Sequence, residues 1–142
     1  MTMNLFGPII IIEDDPDDQE VLNQVAQDLK IKNPLRFFSR SSDVIPYLVA
    51  TIEKPFLILS DINLPGMNGI ELKKEINKNA FLRKKAIPFV FYTTSADKTD
   101  VEQAYQMMVQ GYFQKEIKMD AIKQTLKIIV DYWHICRHPN NF

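Results

Sequence analysis

The sequence predicts a doubly wound α/β sandwich, a parallel sheet with helices on both faces. Two observations predict it. Five short, nearly continuous apolar runs have strand length and are apolar on both faces, as strands covered from both sides must be. Between them lie longer stretches whose apolar residues recur at three and four, the helical spacing, with short connections. Strands and helices alternating in this way join through right-handed crossovers.

The first run, Ile9 to Ile12, is followed by Asp15, which can cap a helix, and Pro16, suited to a first helical position. That helix carries Val21, Leu22, Val25, Ala26 and Leu29 on one stripe. Leu35 to Phe38 is the second run and leads to a helix over Asp43 to Thr51, with Pro46 near its first turn. Phe56 to Leu59 is the third. After the Leu64, Pro65, Gly66 turn, a third helix begins with Ile70, Leu72, Lys73 and Ile76. Phe89 to Tyr92 is the fourth run, after which Thr99 can cap a helix through Val101, Ala104, Tyr105 and Met108. Tyr112 and Phe113 make the fifth run, and Asp120 starts a fifth helix with Ile122, Leu126, Ile129 and Trp133 on one stripe. The expectation is five strands and five helices.

A chain of 142 residues fits one domain, 1–142, and we read its core as about 8–133 with a short tail over 134–142. Apolar residues at 46% and charged ones at 25% mark a globular chain. Lys+Arg 17 against Asp+Glu 18 leaves a formal charge of -1, which argues for neither a nucleic-acid nor a membrane partner. Asn4, Phe6, Gly7 and Pro8 do not resemble a signal peptide, and no apolar run approaches the roughly 20 residues of a membrane span. The lone Cys136 excludes an internal disulfide and reads as a half-buried small apolar residue at home in a reducing cytosol. A soluble, cytoplasmic protein is expected.

In doubly wound sheets functional groups gather at the carboxyl ends of the strands. There the sequence places Glu13, Asp14 and Asp15 after strand one, Ser60 and Asp61 after strand three, Thr93 and Thr94 at the end of strand four, and Lys115 after strand five. Clustered carboxylates repel one another, so either their pKa values rise or a cation holds them together. Magnesium, with about six oxygen ligands of which one or two are carboxylates, is the economical cation. Asp14 and Asp61 could bind it directly, Glu13 through a water, and the main-chain carbonyl of Asn63 could complete the protein side. Such a site suits phosphoryl transfer to a carboxylate, which is mostly positioning and charge neutralisation. Asp61 would be the nucleophile, with Thr93 and Lys115 touching the phosphoryl oxygens. Taken singly, Thr93 is also an ordinary β-branched strand residue, Lys115 a solvated lysine, and Asp15 a helix cap.

In combination these residues resemble the receiver domain of two-component response regulators, the family that includes the chemotaxis regulator, over roughly Ile9 to Trp133. Ile-Ile-Ile-Ile-Glu-Asp-Asp at 9–15 is similar to the family's acidic-pair strand. Leu-Ile-Leu-Ser-Asp-Ile-Asn-Leu-Pro-Gly-Met-Asn-Gly at 57–69 is similar to its phosphoacceptor segment. Phe-Tyr-Thr-Thr-Ser-Ala at 91–96 resembles the strand with the switch hydroxyl, and Gly-Tyr-Phe-Gln-Lys at 111–115 the last strand.

The resemblance implies a flavodoxin-like sheet of strand order 2-1-3-4-5. It implies phosphorylation of Asp61 by a histidine kinase or phosphotransfer protein, and Thr93 and Tyr112 as a coupled switch. It also implies Lys115 as the phosphate-contacting lysine, a readout by helix four, strand five and helix five, and a signalling switch without a separate substrate. Two features depart from the family. Glu116 stands where proline is usual, and Met108 and Val109 stand where a Gly-Ala pair is usual. Output is expected through protein contact. Ile128, Tyr132 and Ile135 form a second stripe on helix five, either a surface for a second copy or partner, or one buried against amino-terminal residues. His134 and His138 stand four apart, a weak metal pair without nearby acids.

Three rival readings compete with this one. A flavin module needs a phosphate cradle where this chain has acids. A haloacid-type phosphatase needs Asp-x-Asp-x-Thr where Asp15, Asp17 and Gln19 stand. A receiver that has lost phosphorylation and serves only for docking or dimerisation is the closest alternative.

Overall fold

The computed structural model describes residues 6–137. Five strands, β1 (Ile9–Ile12), β2 (Leu35–Phe38), β3 (Leu57–Ser60), β4 (Phe89–Thr93) and β5 (Gly111–Gln114), form one parallel sheet of order β2-β1-β3-β4-β5. This is the doubly wound, flavodoxin-like order that the resemblance implied, and the apolar runs sit on the strands with ends shifted by a residue or so.

Alternation within the strands builds two cores. Ile9, Ile11, Leu57, Leu59, Val90 and Tyr92 face α1 (Pro16–Asp28) and α6 (Met119–Ile135). Ile10, Ile12, Ile58, Phe89 and Phe91 face the opposite layer, made by α2 (Val44–Ala50), α3 (Gly69–Lys78), α4 (Ala80–Lys85) and α5 (Lys98–Gln106). Residues of the three central strands are at most 8% exposed, as helix-covered parallel strands require.

Among the described residues six α-helices replace the five expected, because the third stretch is broken. Asn79 has extended backbone (φ -89°, ψ 108°), ends α3, and accepts from the Leu82 N–H to cap α4. The Asn68 side chain and Glu71 form a capping box at the start of α3. Pro46 is tolerated in α2 because it falls in the first turn, where no intrahelical N–H bond is lost. The fourth helix of the sequence, α5, is capped by Asp97 rather than Thr99: Asp97 Oδ1 accepts from the Asp100 N–H at 2.9 Å. Met108 lies beyond it, at a positive φ of 63°. The fifth, α6, starts at Met119, one residue before Asp120, and runs to Ile135.

The second stripe of α6 points outward: Ile128, Tyr132 and Ile135 are 54%, 59% and 83% exposed. The described residues leave that stripe uncovered, and the amino-terminal residues 1–5 lie outside them. His134 is a packing residue, its ring 4.8 Å from that of Phe56 and its Nε2 3.0 Å from Asn33 Oδ1. His138 and the rest of the tail, like Asn4, lie outside the described residues. Cys136 is half-buried at the carboxyl end of α6.

Candidate functional site

Parallel register carries the strand-end residues to one edge. Ile12 is in register with Ser60, and Ser60 with Phe91, so Glu13 and Asp61 leave adjacent strands side by side with Thr93 two residues on. The backbone fastens the corner: the Asp61 N–H donates to Ile12 O at 2.9 Å and the Ser60 hydroxyl to Asp61 O at 2.8 Å.

Asp61 is held through both carboxylate oxygens. The Thr93 hydroxyl donates to Oδ1 at 2.6 Å, and the Lys115 ammonium donates to Oδ2 at 3.0 Å. The Asn63 N–H also reaches Oδ1, at 3.1 Å, and the Asn63 amide donates to Ser95 Oγ at 2.7 Å, tying the loop after β3 to the loop after β4. Asp61 and Thr93 are 7% and 0% exposed, so these bonds are screened little by solvent.

Lys115 collects three carboxylates: Glu13 Oε1 at 2.5 Å, Asp18 Oδ2 at 2.8 Å and Asp61 Oδ2 at 3.0 Å. Burial alone would lower its pKa, but hydrogen bonds to Asp18, Glu13 and Asp61 outweigh it and hold the ammonium charged well above the usual range. Glu13, 3% exposed, is pushed up by burial even though Lys115 and the Asp15 N–H pull the other way. Oxygens of Glu13, Asp14 and Asp61 lie within 4.8 Å of one another, and Asp14 is exposed at the mouth. With Asp18 added, the site holds four carboxylates against one ammonium, which contacts three of them, an excess of negative charge whose hard oxygen donors suit a small divalent cation.

Sequence reasoning missed three neighbours. Asp18 was one of several acids in the first turn of α1, and only its spacing of three from Asp15 hinted that it faces the cluster. Gln19 donates to Glu13 O at 2.5 Å and orients that strand end. Gly69 closes the 57–69 motif, and a Cβ there would lie 2.2 Å from Asp61 O. Tyr112, expected as the switch aromatic, is half-buried beside Phe91 and donates its hydroxyl to Ser95 O. Its pKa is pushed up to about 12, first by burial and then by Asp100, Asp97 and Asp61.

The family model of the response regulator receiver domain matches residues 9–127, most of the chain and every residue of this site. The chain belongs to the response regulator receiver domain family. Response regulator Rcp1 of Synechocystis is 28% identical over 130 residues, 88% of this chain and 87% of that protein. The probable methanogenesis regulatory protein FilR2 of Methanothrix harundinacea is 35% identical over 79 residues, 56% of this chain; the match spans half of that relative. Among solved structures, the phosphorylated cyanobacterial phytochrome response regulator RcpA superposes with a TM-score of 0.82 at 25% identity, covering 93% of this chain and 96% of that one. The Mn(2+)-bound form of Rcp1 gives 0.78 at 26%, covering 93% and 97%.

As a receiver domain the protein is a component of two-component signalling, a family that binds Mg2+ and interacts with histidine kinases or phosphotransfer proteins and with downstream targets. Its departures from the family pattern leave the chemical groups in place. With Glu116 instead of proline, the Lys115 N–H still donates to Thr93 O at 2.8 Å, and the ammonium still reaches Asp61. Val109 is buried, whereas Met108 is 76% exposed. No described helix is long and apolar enough to cross a membrane.

Proposed function

We propose that this receiver is a phosphorylation switch whose acceptor is Asp61, charged by a histidine kinase or phosphotransfer protein in a Mg2+-dependent reaction. The observation that carries this reading is the grip on Asp61, with the Thr93 hydroxyl on one oxygen, the Lys115 ammonium on the other, and Glu13 and Asp14 alongside. A carboxylate oxygen of Asp61 attacks the donor phosphorus; the P–O bond forms as the P–N bond to the donor imidazole breaks, and the imidazole leaves with the bonding pair and takes up a proton. Glu13, Asp14, Asp61 and the Asn63 carbonyl would hold the magnesium ion. When bound it supplies positive charge against the phosphoryl oxygens; Mn2+ in the related Rcp1 structure supports such a site.

Lys115 is already in contact with Asp61 and turns to a phosphoryl oxygen, while the Thr93 hydroxyl moves from Asp61 Oδ1 to another. That movement draws on the loop after β4, through Ser95, which accepts from Tyr112 and contacts Asn63. The readout is protein contact through α5, β5 and α6, helix four, strand five and helix five of the sequence. Exposed Ile128, Tyr132 and Ile135 support a second copy or a target protein there. The protein acts as a cytoplasmic switch that turns over its own aspartyl phosphate and has no separate substrate.

Incubation with acetyl phosphate should add about 80 Da to the intact protein. The addition should require Mg2+ and vanish in Asp61→Asn. Absence of any addition, with acetyl phosphate or a phosphorylated phosphotransfer protein, would leave only the docking role.

A further inference from the structure

At the end of the sheet opposite Asp61, α2, α3, α4 and the segment between α5 and β5 line a half-open cavity of about 730 Å³. Its apolar wall includes Leu48, Ile58, Leu82 and Phe89, all buried. Its charged lining is of one sign: Lys73, Lys74, Lys78 and Arg83 line it, and no described Asp or Glu does.

Lys73 sets this cavity apart from a packing defect. It is 7% exposed, yet it forms no ion pair among the described residues. Its ammonium lies 5.5 Å from the Phe89 ring centroid and donates to Asn77 Oδ1 at 2.9 Å. Asn77 is fixed in turn, its amide donating to Met107 O at 3.0 Å, so the acceptor side is turned to Lys73. An ammonium has three donors, and a buried charge without an anion is costly. Burial pulls its pKa below the usual lysine value, the response of a cation held away from water without a counter-charge. At the rim, Met108 adopts a left-handed backbone, φ 63°, that L side chains disfavour, and presents a 76% exposed apolar side chain.

We propose that this cavity binds a small organic monoanion with an apolar body, a medium-chain carboxylate being the simplest case, its head on Lys73 and its tail along Leu48, Leu82 and Phe89. The volume is that of ordinary small-molecule sites, which are mostly apolar with a few placed polar groups. A purely apolar guest would leave Lys73 without its anion. A polyanion could set only one charge on a buried cation, since Lys74, Lys78 and Arg83 are exposed.

Octanoate is the probe, followed by NMR of the lysine ε-methylene signals in the full chain. Saturable binding should shift the Lys73 signal and raise its titration midpoint, because a neighbouring carboxylate favours the charged ammonium. Lys73→Met, which keeps the apolar stem, should weaken octanoate at least tenfold, whereas Lys127→Met on the far face should not. The inference is overturned if Lys73→Met binds octanoate as well as the wild type, if octanol binds as tightly as octanoate, or if shifts stay on surface lysines without saturation.

Discussion

Gly69→Ala tests whether the backbone beneath Asp61 is positioned by packing. The added Cβ would lie 2.2 Å from Asp61 O, 2.8 Å from Phe91 Cε1 and 3.0 Å from Ile62 Cα. An ordinary carbon–oxygen contact is no closer than about 3.3 Å, so about 1 Å must be found. Two of the three obstacles are main chain and cannot rotate away. Overpacking of this kind costs about 1–3 kcal/mol. The better helix propensity of alanine returns at most about 1 kcal/mol, and less at the first residue of α3. If Asp61 yields, its 2.6 Å bond to Thr93 and 3.0 Å bond to Lys115 lengthen together. A misplacement of about 1 Å in a reacting group costs about 10²-fold in rate. Urea denaturation should show a lower midpoint at unchanged slope, and phosphorylation by acetyl phosphate should slow by about two orders of magnitude. Wild-type stability together with a wild-type rate would refute the reasoning.

Thr93→Val keeps the shape of a fully buried side chain but deletes the donor to Asp61 Oδ1, so phosphorylation should persist while phosphate-dependent shifts of Tyr112 and the α5–β5–α6 face disappear in NMR spectra. Retention of those shifts would remove Thr93 from the switch. Hydrogen bonds from Arg36 and then Tyr47 hold the Glu53 carboxylate below its usual value of 4.5. A depressed carboxylate stabilises the fold above pH 4.5 and loses that contribution as pH falls through its folded value. Glu53→Gln should therefore be slightly less stable at neutral pH, by under about 1 kcal/mol since both partners are solvent-screened, and should lose less stability below pH 4.5; an unchanged acid limb contradicts this. Met108→Gly should raise stability by about 1 kcal/mol in urea melts by relieving the left-handed backbone at φ 63°, and a destabilised variant would show that Met108 packing outweighs the strain.

The strands were legible because a parallel sheet covered on both faces writes itself as uninterrupted apolar runs, Ile9–Ile12 being the plainest. The candidate site was legible because its groups follow those runs directly, and parallel register converts equal positions in sequence into neighbours in space. What failed had nonlocal or competing causes. Thr99 and Asp97 are both competent caps, and only the backbone at Asp97 (φ -74°, ψ 158°) decides between them. The break at Asn79 separates α3 from a six-residue helix with one buried apolar residue, Leu82, too short to show a periodicity of its own. Asp18 meets Lys115 across a separation of 97 residues, which no local pattern encodes. Lys73 stands among the spaced residues that begin the third helix of the sequence, and nothing in that local pattern encodes a buried ammonium set against Asn77 and the Phe89 ring.

Reductive trapping tests the central claim most directly. After phosphorylation with acetyl phosphate and Mg2+, borohydride converts an aspartyl phosphate to homoserine, and peptide mass spectrometry locates the converted residue. Conversion at position 61 alone is the predicted result. Conversion at Glu13, Asp14 or another carboxylate, or none at all in a protein that binds Mg2+, would contradict the assignment of Asp61 as acceptor.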